Sequence, residues 1–202
     1  MKALLLIDIQ NDFLPGGALA VPNGDKIIPI VNKIQGYFDL VVATQDWHPQ
    51  DHKSFASNHE GKNTFDLILL QGLEQVLWPD HCVQGTAGAD FSKDLDMNSV
   101  EAIFRKGMDP AIDSYSGFYD NGKLKSTGLA DYLKGKKIKE VYLTGLAGDY
   151  CVYFSGMDAL AEQFSTFLIE DATYPIDQEN FDRNKESFLK AGGKIISSEH
   201  FR

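Results

Sequence analysis

The stretch "VYLTGLAGDYCV", residues 141–152, decides how the chain folds. Its first four residues form a short β-prone run without alternation, which suits a strand buried on both faces. "GLAGD" reads as a tight turn, and the residues from Cys151 onward take up helical spacing. Strand, turn and helix therefore follow one another, with Cys151 placed just past the turn. Comparable runs recur in "ALLLI" (3–7), "LVVAT" (40–44), "AIF" (102–104), "FLI" (167–169) and "KII" (194–196).

Helical patterns separate several of these runs. In "DKIIPIVNKIQGYF" (25–38), Ile27, Val31, Ile34 and Phe38 share one stripe. Asp25 is the expected N-cap there, and Pro29 falls in the first turn, where no intrahelical N–H is lost. "CVYFSGMDALAEQF" (151–164) sets Phe154, Met157, Ala161 and Phe164 at helical spacing, and "QENFDRNKESFLKAGG" (178–193) closes on a glycine pair, a common helix stop. Such alternation predicts an α/β fold with an open, mostly parallel sheet of six strands covered on both faces. The rhythm breaks at about 49–96, which reads as a long insertion within one domain spanning 1–202.

Composition narrows the function. With 202 residues and 43% of them hydrophobic, the chain has material for a full core. Its formal net charge of -10 opposes binding to phosphate backbones and anionic lipid, which argues against nucleic acid or a membrane surface as partner. Two cysteines, Cys82 and Cys151, lack a disulfide-framework spacing, so a reducing, cytoplasmic setting is expected. The apolar start "MKALLLIDIQ" is interrupted by Asp8 and is too short for a signal peptide or a membrane span.

Ligands of open α/β sheets collect beyond the carboxyl ends of the strands. The runs here close on Asp8, Asp46, Lys106 and Gly145, the last leading to Cys151. Two carboxylates, an amine and a thiol are thereby expected at one sheet edge. A cysteine in a first helical turn gains from the dipole and free N–H groups, which favour the thiolate, provided that Gly148 or Asp149 caps the helix. Asp8 as proton acceptor and Lys106 as anion stabiliser would complete a nucleophilic site, and ordinary strand-end charges beside a structural cysteine are the alternative. Cys82, next to His81 in "WPDHC", competes for the nucleophile role but lacks a strand-to-helix turn.

A second cluster lies in "TQDWHPQDHKSF" (44–55). Asp46 and His48, two apart in extended chain, point to the same side, and His52 and His81 follow. A carboxylate with imidazoles suits zinc, iron or manganese, and surface histidines in a polar loop are the other reading.

Taken in order, "LLLIDIQNDF", "PGGALAV", "ATQDWHP", "WPDHCVQGTAGADF", "FRKGMD", "GLAGDYCV" and "IEDAT" resemble the nicotinamidases of the isochorismatase-like cysteine hydrolases. The resemblance implies a three-layer α/β/α sandwich and hydrolysis of nicotinamide, with pyrazinamide as a further substrate, in NAD salvage. It implies an Asp8–Lys106–Cys151 triad and one divalent metal on Asp46, His48 and His81, with zinc first and iron or manganese as alternatives. His52 matches a position that is a ligand in some members and an outer-shell group in others. A cis peptide bond is implied at Leu146–Ala147, with the N–H groups of Ala147 and Cys151 forming an oxyanion hole. Phe13 and Trp78 match aromatic positions around the pyridine ring, and Gly148 stands where a small polar residue is common. A homo-oligomer is compatible with the family. The competing expectation is a sister amidohydrolase acting on a carbamoyl or ureido compound, whose relatives generally lack the D-x-H…H set.

Overall fold

The computed structural model describes residues 1–201. Eight strands and four α-helices alternate along the chain: β1 (Lys2–Ile7), α1 (Ile27–Ile34), β2 (Leu40–Asp46), β3 (Leu67–Leu70), β4 (Leu73–Val76), β5 (Val100–Lys106), α2 (Leu129–Gly135), β6 (Glu140–Gly145), α3 (Tyr153–Ala161), β7 (Ser165–Thr173), α4 (Gln178–Lys190) and β8 (Lys194–Ile196). Six strands form one sheet in the order β5-β2-β1-β6-β7-β8, and every pairing is parallel. All six apolar runs are strands. No helix among the described residues is long and apolar enough to cross a membrane.

Burial on both faces explains the unbroken apolar runs. Leu4 and Leu6 pack on one face with Ile27, Ile28, Val31 and Ile34 of α1. Ala3, Leu5 and Ile7 pack on the other with Leu129 and Leu133 of α2, Ala159 of α3, and Phe181 and Phe188 of α4. The result is a three-layer α/β/α sandwich. β5 departs from the expected two-sided burial. It is an edge strand that alternates, with Glu101, Ile103 and Arg105 turned out to solvent.

One helix reading needs correction, and the structure adds the packed face of another. Asp25 does not cap α1, because a short 3-10 turn at Gly24–Lys26 precedes it; Pro29 is still in the first turn. On α3 the buried face is Ser155, Gly156, Asp158 and Ala159, whereas Phe154 is exposed. Small residues face inward because the helix lies close to the sheet: a Cβ at Gly156 would sit 2.9 Å from Leu143 Cδ1 and 3.0 Å from Phe188 Cε2. Helical spacing alone cannot separate a packed face from an exposed aromatic one.

The segment between β2 and β5 carries a feature without a sequence expectation, the antiparallel hairpin β3–β4. Its two-residue turn, Gln71–Gly72, has positive φ at both positions, the geometry that matches strand twist.

The β1–β2 pair leads the chain out to one side of the sheet, and β6 returns on the other side of β1. That change of direction opens a crevice at the carboxyl ends of β1 and β6. Asp8 turns away there with φ +49, a left-handed conformation that aspartate tolerates better than most residues.

Gly156→Val should lower stability by about 1–3 kcal/mol through overpacking against Leu143 and Phe188. Urea denaturation measures this; a midpoint equal to wild type would contradict the close approach of α3.

Candidate active site and metal centre

The ends of β1, β2 and β5 and the turn after β6 meet around one ammonium. Lys106, the last residue of β5, is almost wholly buried, and its Nζ lies 2.6 Å from Asp46 Oδ1 and 2.9 Å from Asp8 Oδ2. It also donates to the Ser114 carbonyl at 2.9 Å and reaches Cys151 Sγ at 3.4 Å. Thr44 donates to Asp8 Oδ1 at 2.7 Å. Oδ2 of Asp8 accepts no well-directed hydrogen bond, so its contact with Lys106 is an ion pair that leaves lone-pair capacity. Asp8, Asp46 and Cys151 bring polar atoms within 4.8 Å of one another.

Burial dominates the electrostatics of this group. It pushes the Asp8 carboxyl above its ordinary range, with Asp46 adding to the rise and Lys106 opposing it. Burial opposes the Asp46 charge too, but Lys106 and His48 prevail and hold it ionised. Lys106 stays protonated because the two carboxylates outweigh its desolvation.

The thiol does not behave as the helix-dipole expectation required. Burial, assisted by the charges of Asp8 and Asp46, raises the Cys151 thiol well above its usual value despite Lys106. Cys151 lies in a wide turn, Gly148–Val152, that precedes α3. Asp149 does not cap that helix; its carboxylate accepts the N–H groups of Ile176 and Asp177, both at 2.9 Å, and ties the turn to the loop before α4. Gly148 faces Phe181 and Thr173, whose atoms lie 2.9 and 3.0 Å from where a Cβ would stand. The Leu146–Ala147 bond is cis.

Beside this cluster, two imidazoles aim one nitrogen each at Asp46. His48 donates Nδ1–H to the Gly107 carbonyl at 2.9 Å, and His81 donates to Pro79 at 2.8 Å, so in the neutral rings Nε2 carries the lone pair. These Nε2 atoms lie 3.5 and 3.9 Å from Asp46 Oδ2. Ligands about 2.1 Å from a tetrahedral ion stand roughly 3.4 Å apart, so the spacing fits a small divalent cation. Carbonyls behind both rings provide the outer support that metal-bound histidines usually have. Gly107, at φ +66, lets the His48 ring lie flush against the chain, where any side chain would strike it.

His52 is buried in the same group, 4.4 Å from His48 between ring centroids. Its Nδ1 takes the Ser54 hydroxyl at 2.7 Å, and its Nε2 has no hydrogen-bond partner. Cys82 is buried, and its backbone N–H is bound by Asp12 at 2.7 Å; burial raises its thiol.

The cleft joining thiol and imidazoles has about 320 Å³ of empty space, part of it open to solvent, which suits a small ligand. Phe13 and Trp78 line it, together with Tyr115 and Tyr150, which sequence reasoning missed. The Trp78 ring meets Tyr150 edge-on at 4.8 Å, and Phe13 meets His81 at 5.6 Å. Asp113 was also missed. It is buried, accepts from Gln75 of the hairpin at 3.1 Å, and lies within metal-ligand spacing of His48 and His52. Its flanking sequence holds no metal-like spacing, so only the fold brings it to the cleft.

A thiol held beside an acid–amine pair, with a metal-type donor set across one small cleft, defines a class of hydrolase. The chain matches the Isochorismatase domain over residues 2–200 and belongs to that family. It is 46% identical to the nicotinamidase of Acinetobacter baylyi over 199 residues, 98% of this chain and 93% of that protein. Its structure is similar to an Acinetobacter baumanii nicotinamidase/pyrazinamidase, with TM-score 0.97 and 44% identity across 100% and 98% of the two chains. A pyrazinamidase of Pyrococcus horikoshii in complex with zinc superposes with TM-score 0.80 at 40% identity, covering 97% of this chain and 98% of that one.

Replacing Lys106 with Met leaves two buried carboxylates without their shared cation. The variant should lose about 3–5 kcal/mol at neutral pH. The deficit should shrink as pH falls, because protonation neutralises the two carboxylates that the variant leaves buried without their cation. Urea unfolding across pH checks both points, and a wild-type midpoint at neutral pH would contradict them.

Proposed function

We propose that this protein is a nicotinamidase that hydrolyses nicotinamide to nicotinate and ammonia through a cysteine thioester. The observation that carries this reading is the double contact of Lys106, which touches the thiol and Asp8 on one side and the metal-facing Asp46 on the other. A carboxamide carried on a ring with a basic nitrogen spans such a cleft. Its carbonyl carbon meets Cys151, and its ring nitrogen faces Asp46, His48 and His81.

Asp8 accepts the proton of Cys151 as Sγ attacks the carboxamide carbon. Burial raises its pKa, which suits a group that both takes and returns this proton. Lys106 keeps the thiolate and carboxylate from meeting unscreened. The N–H groups of Ala147 and Cys151 receive the oxygen of the tetrahedral intermediate. Collapse breaks the C–N bond, and Asp8 protonates the departing ammonia. Water then attacks the thioester, gives its proton to Asp8, and releases nicotinate as the sulfur recovers the proton.

Asp46, His48 and His81 would hold a divalent cation, zinc being our assignment, and His52 and Asp113 lie close by as further donors. When bound, that cation supplies an electrophilic anchor for the ring nitrogen. In this reading the insertion between β2 and β5 exists to present His81 and Trp78. Phe13, Trp78, Tyr115 and Tyr150 hold the ring and exclude water. A pyrazine ring keeps the same outline, so pyrazinamide is a second substrate. The reaction belongs to cytoplasmic NAD salvage, where an unpaired thiol stays reduced.

Purified protein should release ammonia from nicotinamide, and Cys151→Ala should abolish release while keeping fold and bound zinc. An ammonia assay with circular dichroism and metal analysis tests this. Turnover of a carbamoyl compound without turnover of nicotinamide, or an active Cys151→Ala variant, would overturn it.

A further inference from the structure

Gln10 lies just beyond the end of β1 and is wholly buried. The β1–β2 ladder runs only to the pair Ile7–Thr44. After it, Asp8 turns out of the sheet, although β2 continues to Asp46. Asp46 thus ends β2 with its backbone N–H and C=O facing a position that β1 no longer fills. Buried backbone groups left without partners are strongly disfavoured.

The Gln10 carboxamide fills that position as a stand-in for a peptide group. Its Oε1 accepts the Asp46 N–H at 2.8 Å, and its Nε2 donates to the Asp46 carbonyl at 2.8 Å. The second Nε2 hydrogen goes to the Ala89 carbonyl, also at 2.8 Å. The Gln10 backbone is fixed in turn, because it bridges Phe91 while Ser92 donates to Ile9 and Asn11 to Asp90. On its opposite edge Asp46 is in register with Lys106 of β5.

We infer that Gln10 is a positioning residue for the metal centre: its carboxamide replaces the missing rung of the sheet and thereby sets the stance of the Asp46 carboxylate. That carboxylate serves two clients, Lys106 through Oδ1 and the imidazoles through Oδ2. A small rotation of its backbone would improve one contact only by loosening the other. The role suits an amide, because its oxygen accepts from the N–H while its nitrogen donates to two carbonyls at once. The inference rests on the reading of Asp46, His48 and His81 as metal ligands.

The test is zinc affinity by chelator competition on metal-free wild type, Gln10→Met, Gln10→Glu and Gln45→Met. Gln45 is the control. It donates to the same Ala89 carbonyl, at 2.9 Å, but does not bind the Asp46 backbone. Gln10→Glu guards against misfolding of the Met variant, since it keeps size and the acceptor while setting oxygen against two carbonyls. Circular dichroism confirms the fold of each. Both Gln10 variants should bind zinc about 10- to 100-fold more weakly, the range of outer-shell losses at metal sites, while Gln45→Met matches wild type. Wild-type affinity in the folded Gln10 variants, or an equal loss in Gln45→Met, would overturn the inference. Absence of zinc binding by wild type would instead remove the metal-centre reading itself.

Discussion

A protonated lysine sealed between two carboxylates governs this molecule. The Lys106 ammonium is almost wholly shut away from bulk solvent, so Asp8 and Asp46 must stand within hydrogen-bonding reach, and they come from two different strands. An ion group of this kind is stable only with nearly ideal geometry, because desolvation costs several kcal/mol per ion and loss of one member leaves an uncompensated charge. The strand ends are therefore locked to one another. That lock places a thiol against one carboxylate and a metal-type donor set against the other.

The parallel sheet makes the lock possible. Strands running the same way deliver their final residues to the same edge, so a charge just past each apolar run falls into a common crevice. Burial at that edge raises the thiol and the Asp8 carboxyl together. In the proposed reaction the proton therefore passes within the pair, since burial among carboxylates opposes a standing thiolate. The helix dipole alone would have favoured the opposite arrangement, and burial among carboxylates outweighs it.

Much of this was legible because charges interrupt apolar runs. Asp8, Asp46 and Lys106 each stop a strand, and a charge there is conspicuous in a one-dimensional reading. The histidine spacing was visible for the same reason, whereas the positions of His52 and Asp113 depend on how the intervening loop folds. Gln10 gave no signal, since its role arises from a gap between two strands that differ in length. The inward face of α3 was not legible, because helical spacing does not say which stripe is buried and its glycine, serine and alanine pack closely on the sheet. The β3–β4 hairpin was hidden in a stretch read only as insertion, although Gln71–Gly72 marked its turn. Tyr115 and Tyr150 escaped notice because a tyrosine beside a cleft looks no different in sequence from one on a surface.

The most direct test of the account is to stop the reaction with acid during turnover of nicotinamide and to map any modified cysteine by mass spectrometry. The account predicts a nicotinoyl group on Cys151 that disappears once substrate is exhausted. A nicotinoyl group on Cys82, or turnover with neither cysteine ever modified, would contradict it.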